Sequence, residues 1–354
     1  MQNIINILKK KKSLPIDQFI NISLYNKEFG YYMKKNPFGV DGDYITAPLI
    51  SKLFGEMIAV WIIAFWEHLG KPEKILLVEL GPGNGTLCKI ILDTFKNFRD
   101  FYDCLEIKLL EKSPKLKKNQ KKKLINKKVK WIKSIKDLKQ GPIIFLGNEF
   151  FDSLAIKQFY FKKKLFFERC IKLSKSNKKI EFSYKKAPKS FVKDISKLKL
   201  SNKEKIIEYP CEAIKYLKII SKKINKFGGG LLSFDYGYNK NRNFDSLQSV
   251  KNHKYHNILS KPGTSDITSH INYKLFTKIL IENDLDVNKV VSQSEFLQRL
   301  GIIERANMIS RNSNFKKKAD IFYRLRKLLH YKEMGQLFKV IFAKKKGKKF
   351  LLGF

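Results

Sequence analysis

Short apolar runs alternate with amphipathic segments through the middle of the chain. The runs cover residues 75–80, 106–111, 129–132, 143–148 and 231–235. Continuous apolar runs of this length are typical of parallel strands buried on both faces, and a helical pattern at residues 87–95 lies between two of them. The alternation predicts an α/β fold in which helices cover both faces of a mostly parallel sheet. In such a fold, ligands bind at the carboxyl ends of the strands.

The first 70 residues do not follow this alternation and are predicted to form an N-terminal region of their own. Helical patterns at residues 16–25 and 50–68 flank a loop at residues 29–48 that is rich in aromatic residues and glycine. Within this loop, the segment GDYITAP contains Asp43 and Thr46. It can fold as a lid that contacts a substrate or as an aromatic cap without ligand contact, and the sequence leaves both possibilities open.

An insertion interrupts the alternation at about residues 155–226. Aromatic and charged residues alternate over residues 158–186, which predicts two or three antiparallel strands in a small lobe, and helices are expected over residues 190–226. An apolar run at residues 336–344 predicts a last strand. We therefore expect one domain over residues 71–345, interrupted by this insertion, and a basic tail at residues 346–354.

The segment KILLVELGPGNGT, residues 74–86, connects an apolar run to a helical pattern through a glycine-rich turn. A strand, a glycine turn and a helix N-terminus form a nucleotide-binding unit. The spacing G-x-G-x-G is tighter than the dinucleotide pattern, and the preceding glutamate attracts a cationic ligand instead of a pyrophosphate, so the loop favours S-adenosylmethionine over NAD. The expected cofactor contacts are Glu79, Gly81, Pro82, Gly83, Asn84, Gly85 and, at the end of the second strand, Glu111, which can accept hydrogen bonds from ribose hydroxyls.

Further polar residues follow the later strands. Asn148, Glu149 and Asp152 come after the fourth strand, and Asp235 and Tyr236 come at the end of the next one. Because the carboxyl ends of parallel strands meet at one edge of the sheet, these residues are expected to lie near the glycine turn. This clustering predicts an active site.

The formal net charge of +41 raises the question of a nucleic acid partner. The basic residues are mostly lysines spread along the whole chain, whereas arginine, the residue that reads bases most often, is scarce. The lysine blocks at residues 115–128 and 344–349 are therefore interpreted as solvated faces, and a nucleic acid substrate is considered unlikely.

The remaining composition excludes several other classes. The four cysteines are far apart, and His253 and His256 have no nearby set of ligands, so neither a metal site nor a disulfide framework is expected. No apolar run is long enough to span a membrane. Since no targeting segment is evident, a bacterial cytoplasm is expected, with a mitochondrial matrix as the alternative.

Several segments together resemble the MidA family of methyltransferases, bacterial relatives of the mitochondrial arginine methyltransferase that assists assembly of respiratory complex I. They are VELGPGNGT, GDYITAPLISKLFGEMIAVW, GNEFFDSLAIKQF, FDYGY, PGTSDITSHINY, QSEFLQRLGI and GQLFKVIFA. The resemblance covers about residues 13–345. It implies the class I methyltransferase fold, a Rossmann-like sheet of seven strands that is parallel except for its final hairpin strand.

The resemblance also implies S-adenosylmethionine as the cofactor, bound by Glu79, Gly81, Gly83, Gly85 and Glu111, and a protein arginine as the methyl acceptor. We hypothesise that Glu149 and Asp152 orient the acceptor, that Asn148 contacts the cofactor or the reacting centre, and that Asp235 and Tyr236 form another wall of the pocket. Asp152 and, less readily, Glu149 can alternatively cap a helix that starts near Ser153.

The expected partner is thus a protein substrate, by family resemblance a complex I subunit. A non-catalytic assembly factor that keeps the cofactor only for stability is the rival hypothesis. A small-molecule or nucleic acid methyltransferase is disfavoured, because NEFFD does not supply the Asn-Pro-Pro-Tyr-like segment expected after the fourth strand of such enzymes.

Overall fold

The computed structural model describes residues 2–35, 37–39, 42–176, 179–198, 206–239 and 244–354. The N-terminal region is mainly helical, and the predicted helix at residues 16–25 is confirmed. Ser51 divides the second predicted helix, because its side chain accepts a 3.3 Å hydrogen bond from the backbone N–H of Leu53 and caps the longer part. The elements are α1 (Gln2–Lys11), β1 (Ser13–Pro15), α2 (Ile16–Tyr25), α3 (Tyr31–Lys34), α4 (Ala47–Ile50) and α5 (Lys52–His68).

The predicted alternation of strands and helices follows. Its elements are β2 (Ile75–Leu80), α6 (Thr86–Phe95), α7 (Arg99–Cys104), β3 (Leu105–Leu110), α8 (Pro114–Lys123), β4 (Val129–Ile132), a short 3₁₀ helix (Ile135–Asp137) and β5 (Ile143–Asn148). Every residue of β2 is buried, as expected for a strand with helices on both faces.

The inserted lobe is an antiparallel sheet, as predicted. It contains β6 (Lys157–Lys162), β7 (Leu165–Leu173), β8 (Ile180–Lys186), α9 (Lys189–Lys197) and β9 (Ile206–Tyr209). The N-terminal strand β1 pairs antiparallel with β7, so the N-terminal region and the lobe share one sheet. The prediction of helix over residues 190–226 is wrong at β9, which is a strand with alternate side chains buried against the lobe. Residues 199–205 lie outside the described part of the chain.

The last part of the chain completes the main sheet. Its elements are α10 (Cys211–Phe227), β10 (Gly229–Tyr238), β11 (Gln248–Lys251), β12 (Lys254–Tyr255), β13 (Asp266–Thr268), β14 (Ile271–Asn272), α11 (Tyr273–Glu282), β15 (Leu285–Val287), β16 (Val291–Ser292), α12 (Gln293–Arg299), α13 (Ile302–Ser310), α14 (Phe315–Leu329), α15 (Met334–Leu337) and β17 (Phe338–Lys345). Strands β11, β12 and β13 form a separate small sheet.

The main sheet has the strand order β15-β17-β10-β5-β2-β3-β4. Strands β4, β3, β2, β5 and β10 are parallel to their neighbours, whereas β17 pairs antiparallel with β10 and β15. These seven strands form the mostly parallel α/β sheet that the resemblance implied, and the short strands β14 and β16 extend it by pairing with β10 and β17. The order reverses between β2 and β5, and the crevice beside such a reversal is where ligands bind in doubly wound folds.

Residues 346–354 were expected to form a basic tail; residues 346–349 are exposed, but Phe350, Leu352 and Phe354 pack on the core. The ring of Phe350 is buried and lies 5.4 Å from that of Trp61, and the Trp61 indole N–H donates a 2.9 Å hydrogen bond to the carbonyl of Leu352. The apolar residues that follow the lysines, such as Phe350 and Leu352, therefore hold the end of this segment against the core. Among the helices of the described residues, none has both the length and the apolar content that crossing a bilayer requires.

Candidate active site

A cavity of about 340 Å³ opens at the carboxyl ends of the strands, beside the reversal between β2 and β5. Its walls come from the turns after β2, β3 and β5, from the end of β10, from the N-terminal loop and from the small sheet β11–β13. Of the predicted site residues, the lining includes Glu79, Gly81, Pro82, Gly83, Asn84, Glu111, Asn148, Glu149, Asp152, Tyr236 and Thr46. The sheet therefore brings most of the predicted residues together.

The glycine turn after β2 requires glycine for its backbone conformation and for its close contacts. Gly81 and Gly83 have φ angles of +63° and +54°, a region that side chains disfavour. A Cβ atom on Gly83 would lie 2.8 Å from the ring of Phe38, and one on Gly81 would lie 3.0 Å from the ring of Phe150. Both rings line the cavity, so a side chain at either glycine would collide with the cavity wall. Gly85, with a φ of +77°, precedes α6 and is not part of the lining.

Two acids lie on the cofactor side of the cavity. Glu79 is only 4% exposed, and burial raises the pKa of its carboxyl to about 8, although a hydrogen bond with Cys88 lowers it. Burial also raises the pKa of Glu111, whose Oε1 accepts a 2.7 Å hydrogen bond from the backbone N–H of Ser113. A carboxylate in this position has further lone pairs for ribose hydroxyls, and a buried acid such as Glu79 favours a cationic ligand nearby. The glycine turn and these two acids fit S-adenosylmethionine.

Gln120 organises this side of the cavity and was missed by the sequence analysis. Its Nε2 donates hydrogen bonds to the carbonyl of Gly83 at 2.7 Å and to Oε2 of Glu111 at 2.9 Å, and its Oε1 accepts one from the indole of Trp131 at 2.8 Å. Gln120 belongs to the lysine block that was interpreted as a solvated face. The signal was present, because Leu116 and Gln120 are uncharged residues at i and i+4 among lysines and both are buried.

The loop after β5 carries the predicted acceptor site. Glu149 has a φ of +54°, and its backbone N–H donates a 2.8 Å hydrogen bond to the carbonyl of Phe234. Such left-handed conformations of non-glycine residues cluster at functional sites. Burial and the neighbouring Asp152 raise the pKa of the Glu149 carboxyl to about 8, and hydrogen bonds from Asn148 and from the backbone of Ala47 lower it. The segment GDYITAP therefore reaches the acid at the centre of the site.

Asp152 lies beside Glu149 and is 4% exposed. Burial raises the pKa of its carboxyl to about 6, while hydrogen bonds with Tyr236 and Asp235 lower it. Its Oδ1 is buried and has no hydrogen-bond partner among the described residues, and the same holds for Oδ1 of Asn148. No helix lies between β5 and β6, where every residue is described, so the alternative that Asp152 caps a helix is wrong. These unsatisfied oxygens point to a ligand that donates hydrogen bonds.

Asp235 and Asp43, predicted to contact the substrate, are not among the cavity-lining residues. Asp235 is buried behind the loop after β5 and accepts 3.4 Å hydrogen bonds from the backbone N–H groups of Phe151 and Asp152. Asp43 accepts a 2.6 Å hydrogen bond from the hydroxyl of Tyr31 and a 2.8 Å one from the backbone N–H of Asn252. Both acids hold loops that form the walls, which is a positioning role.

Three polar groups on the far side of the cavity come from distant parts of the chain. The hydroxyl of Tyr32 donates a 2.8 Å hydrogen bond to Oδ1 of Asp266 and lies 3.3 Å from the hydroxyl of Tyr44. All three residues line the cavity, and Tyr32 and Asp266 were not predicted as site residues. Only the tertiary fold brings them together, since Tyr32 and Asp266 are 234 positions apart.

Comparisons with known proteins point to the same cofactor. The sequence model of a family described as S-adenosyl-L-methionine-dependent methyltransferases matches residues 57–291. Two relatives are named mitochondrial protein arginine methyltransferase NDUFAF7: that of Xenopus tropicalis is 29% identical, covering 96% of this chain and 84% of the relative, and that of Homo sapiens is 26% identical, covering 87% and 74%. The C. elegans homologue is 30% identical, covering 78% of this chain and 70% of the relative.

A solved structure shares the fold of the whole chain. A Burkholderia thailandensis protein, crystallised with bound S-adenosyl-homocysteine, superposes with a TM-score of 0.84 at 21% identity, covering 98% of this chain and 92% of that protein. The predicted fold class is thereby confirmed.

Proposed function

Because the chain belongs to the MidA family of S-adenosylmethionine-dependent methyltransferases, we propose that it transfers the methyl group to an arginine side chain of a protein. The relatives that are named protein arginine methyltransferases support this acceptor. We also propose, from the family resemblance, a subunit of respiratory complex I as the partner, and a bacterial cytoplasm or a mitochondrial matrix as the compartment.

The observation that carries the proposal is the excess of acids in the cavity. Among the described lining residues, five carry carboxyl groups and two are basic, Lys112 and His270. The ammonium of Lys112 lies 2.9 Å from Glu212, a residue outside the lining. The groups that shift the pKa of Glu149 most are acids, an amide and a backbone N–H, and none of them is a basic side chain. A buried acidic site of this kind favours a cationic substrate, which supplies the missing counter-charge.

A guanidinium group suits both the acids and the reaction. When bound, the cofactor supplies an electrophilic methyl group on a sulfonium. Glu149 and Asp152 would hold the planar cation through charge-assisted hydrogen bonds and keep one nitrogen directed at that carbon. The nitrogen lone pair forms the new N–C bond, the electrons of the broken S–C bond stay on sulfur, and a carboxylate takes the proton that the nitrogen loses.

The mouth of the cavity supports a macromolecular substrate. Among the residues that line it, the aromatic Tyr255 is 82% exposed and the aliphatic Leu337 is 47% exposed. Exposed aromatic and aliphatic side chains around a polar pocket are typical of surfaces that contact proteins. A protein chain docked there would present one side chain to the acids below.

The test is transfer of a labelled methyl group from S-adenosylmethionine in a lysate of cells that lack this protein. We expect the purified protein to label a protein, with the label recovered as methylarginine after hydrolysis. Label on another residue type would contradict the arginine assignment. Binding of the cofactor without any transfer to the lysate or to purified candidate subunits would instead support a non-catalytic assembly factor.

A further inference from the structure

Asp266, on β13, faces the same cavity as Glu149 and Asp152 although it comes from a different part of the fold. It is 4% exposed and lines the cavity. Its Oδ1 accepts the 2.8 Å hydrogen bond from Tyr32 and a 2.9 Å one from the backbone N–H of Ile267. Because both hydrogen bonds end on Oδ1, Oδ2 is the oxygen that a ligand in the cavity can reach.

The three acids influence one another electrostatically. The charge of Asp152 raises the pKa of Asp266, and the charge of Asp266 raises that of Glu149. Burial is the largest cause of the raised pKa of the Asp266 carboxyl, which is about 7. Three ionised acids that share one buried cavity repel one another, so in the ligand-free protein they favour protonation, whereas a bound cation allows them to ionise.

A second, independent observation indicates a ligand at this cluster. Asp152, which is more than nine-tenths buried, has an Oδ1 atom without a hydrogen-bond partner among the described residues, and its side chain lines the cavity. Buried oxygens of this kind are satisfied in most folded proteins. The missing donor is therefore expected to come from the ligand.

We propose that Asp266, held by Tyr32, is a third acid that binds the cationic group of the substrate together with Glu149 and Asp152. This inference rests on the proposed function and deepens it, because it assigns the recognition of the cation to the N-terminal loop and β13 as well as to the loop after β5. A guanidinium has five N–H donors in one plane and stacks on aromatic rings, so it can satisfy three carboxyl groups. Tyr44 and Tyr236, which also line the cavity, supply such rings.

The test measures binding of a small cation to the protein loaded with S-adenosylhomocysteine. Ethylguanidinium is the probe, and ethylurea, which has the same shape without the charge, is its control. We expect ethylguanidinium to bind at least about tenfold more tightly than ethylurea, and Asp266→Asn to weaken ethylguanidinium binding about tenfold while the affinity for S-adenosylhomocysteine stays within about twofold.

Two further variants separate local from general effects. Asp320→Asn removes an exposed acid that pairs with Arg324 in the same helix, α14, and does not line the cavity, so it controls for net charge and should bind ethylguanidinium as the unaltered protein does. If Asp266→Asn fails to fold, Tyr32→Phe tests the same contact, with an expected loss of about threefold because one hydrogen bond is removed. The inference would be overturned if the Asp266 and Tyr32 variants both bind ethylguanidinium as tightly as the unaltered protein while Glu149→Gln does not bind it.

The inference and the proposed function can fail separately. If arginine is methylated and Asp266→Asn binds ethylguanidinium normally, the function stands and the role of Asp266 is refuted. If the label appears on another cationic residue while ethylguanidinium binding still depends on Asp266, the three-acid site stands and the arginine assignment falls.

Discussion

The side chain of Gln120 links the glycine turn to the ribose-side acid, because its Nε2 lies 2.9 Å from Oε2 of Glu111 and 2.7 Å from the carbonyl oxygen of Gly83. One buried amide thus fixes both groups that are proposed to contact the cofactor. Because the two N–H groups of one amide nitrogen point in fixed directions, the hydrogen bonds that they donate set the distance between the turn and Glu111.

Replacing Gln120 with leucine should weaken cofactor binding. The change keeps the volume but removes both donors, so we expect the Kd for S-adenosylhomocysteine to rise about tenfold, as measured by titration calorimetry. Lys118→Ala, on the exposed face of the same helix, is the matched control and should leave the Kd unchanged. An unaltered Kd in Gln120→Leu would show that the amide does not position the site.

Asp235 is expected to stabilise the loop after β5 and not to contact the substrate directly. Burial and the nearby Asp152 and Glu149 raise its pKa well above the usual range, which favours the protonated form of the carboxyl. Asparagine can replace a protonated aspartate in most of its hydrogen bonds, whereas alanine cannot. Asp235→Ala should therefore lower the free energy of unfolding by about 2 kcal/mol, and Asp235→Asn by less than about 1 kcal/mol.

Denaturant titration measures both values, with Asp320→Ala as a control on the surface. Equal losses for the alanine and asparagine variants would mean that Asp235 is ionised in the folded protein. Substrate binding to Asp235→Asn would then test whether Asp235 forms a wall of the pocket.

The stability of the ligand-free protein should fall as the pH rises. The pKa values of Glu79 and Glu149 are raised to about 8, so the folded protein keeps protons that the unfolded chain releases near its ordinary pKa of about 4.3. The stabilisation is complete below the unfolded pKa and is lost as the pH rises through about 8. Scanning calorimetry from about pH 5 to about pH 8.5 should show a falling Tm, and a smaller fall for Glu149→Gln. A Tm that rises over this range would contradict the raised pKa values.

The sequence predicted the main sheet well because each strand is a local signal. The bounds of β2, β4 and β5 were predicted without error, since continuous apolar runs end there in polar or glycine residues. The prediction failed where tertiary contacts decide the structure. Strand β9 looked helical in sequence and forms a strand by pairing with β6.

The same distinction applies to the site. Residues that end consecutive strands, such as Glu79, Glu111 and Glu149, were found because the topology places strand ends together. Gln120 was hidden within a lysine-rich helix, and Asp266 lies on a short strand that pairs with β11. Their roles depend on contacts between segments that no local pattern connects.

Glu149 and Asp152 are proposed to act on the methyl acceptor and not on the cofactor. The most direct measurement is the rate of methyl transfer in Glu149→Gln and Asp152→Asn, with the affinity for S-adenosylmethionine measured in parallel. Both amides keep the shape of the side chain but neither can take up a proton, so we expect the rate to fall by about 100-fold or more while the Kd for the cofactor changes by less than about threefold. Undiminished rates in both variants would remove these acids from the reaction and contradict the account.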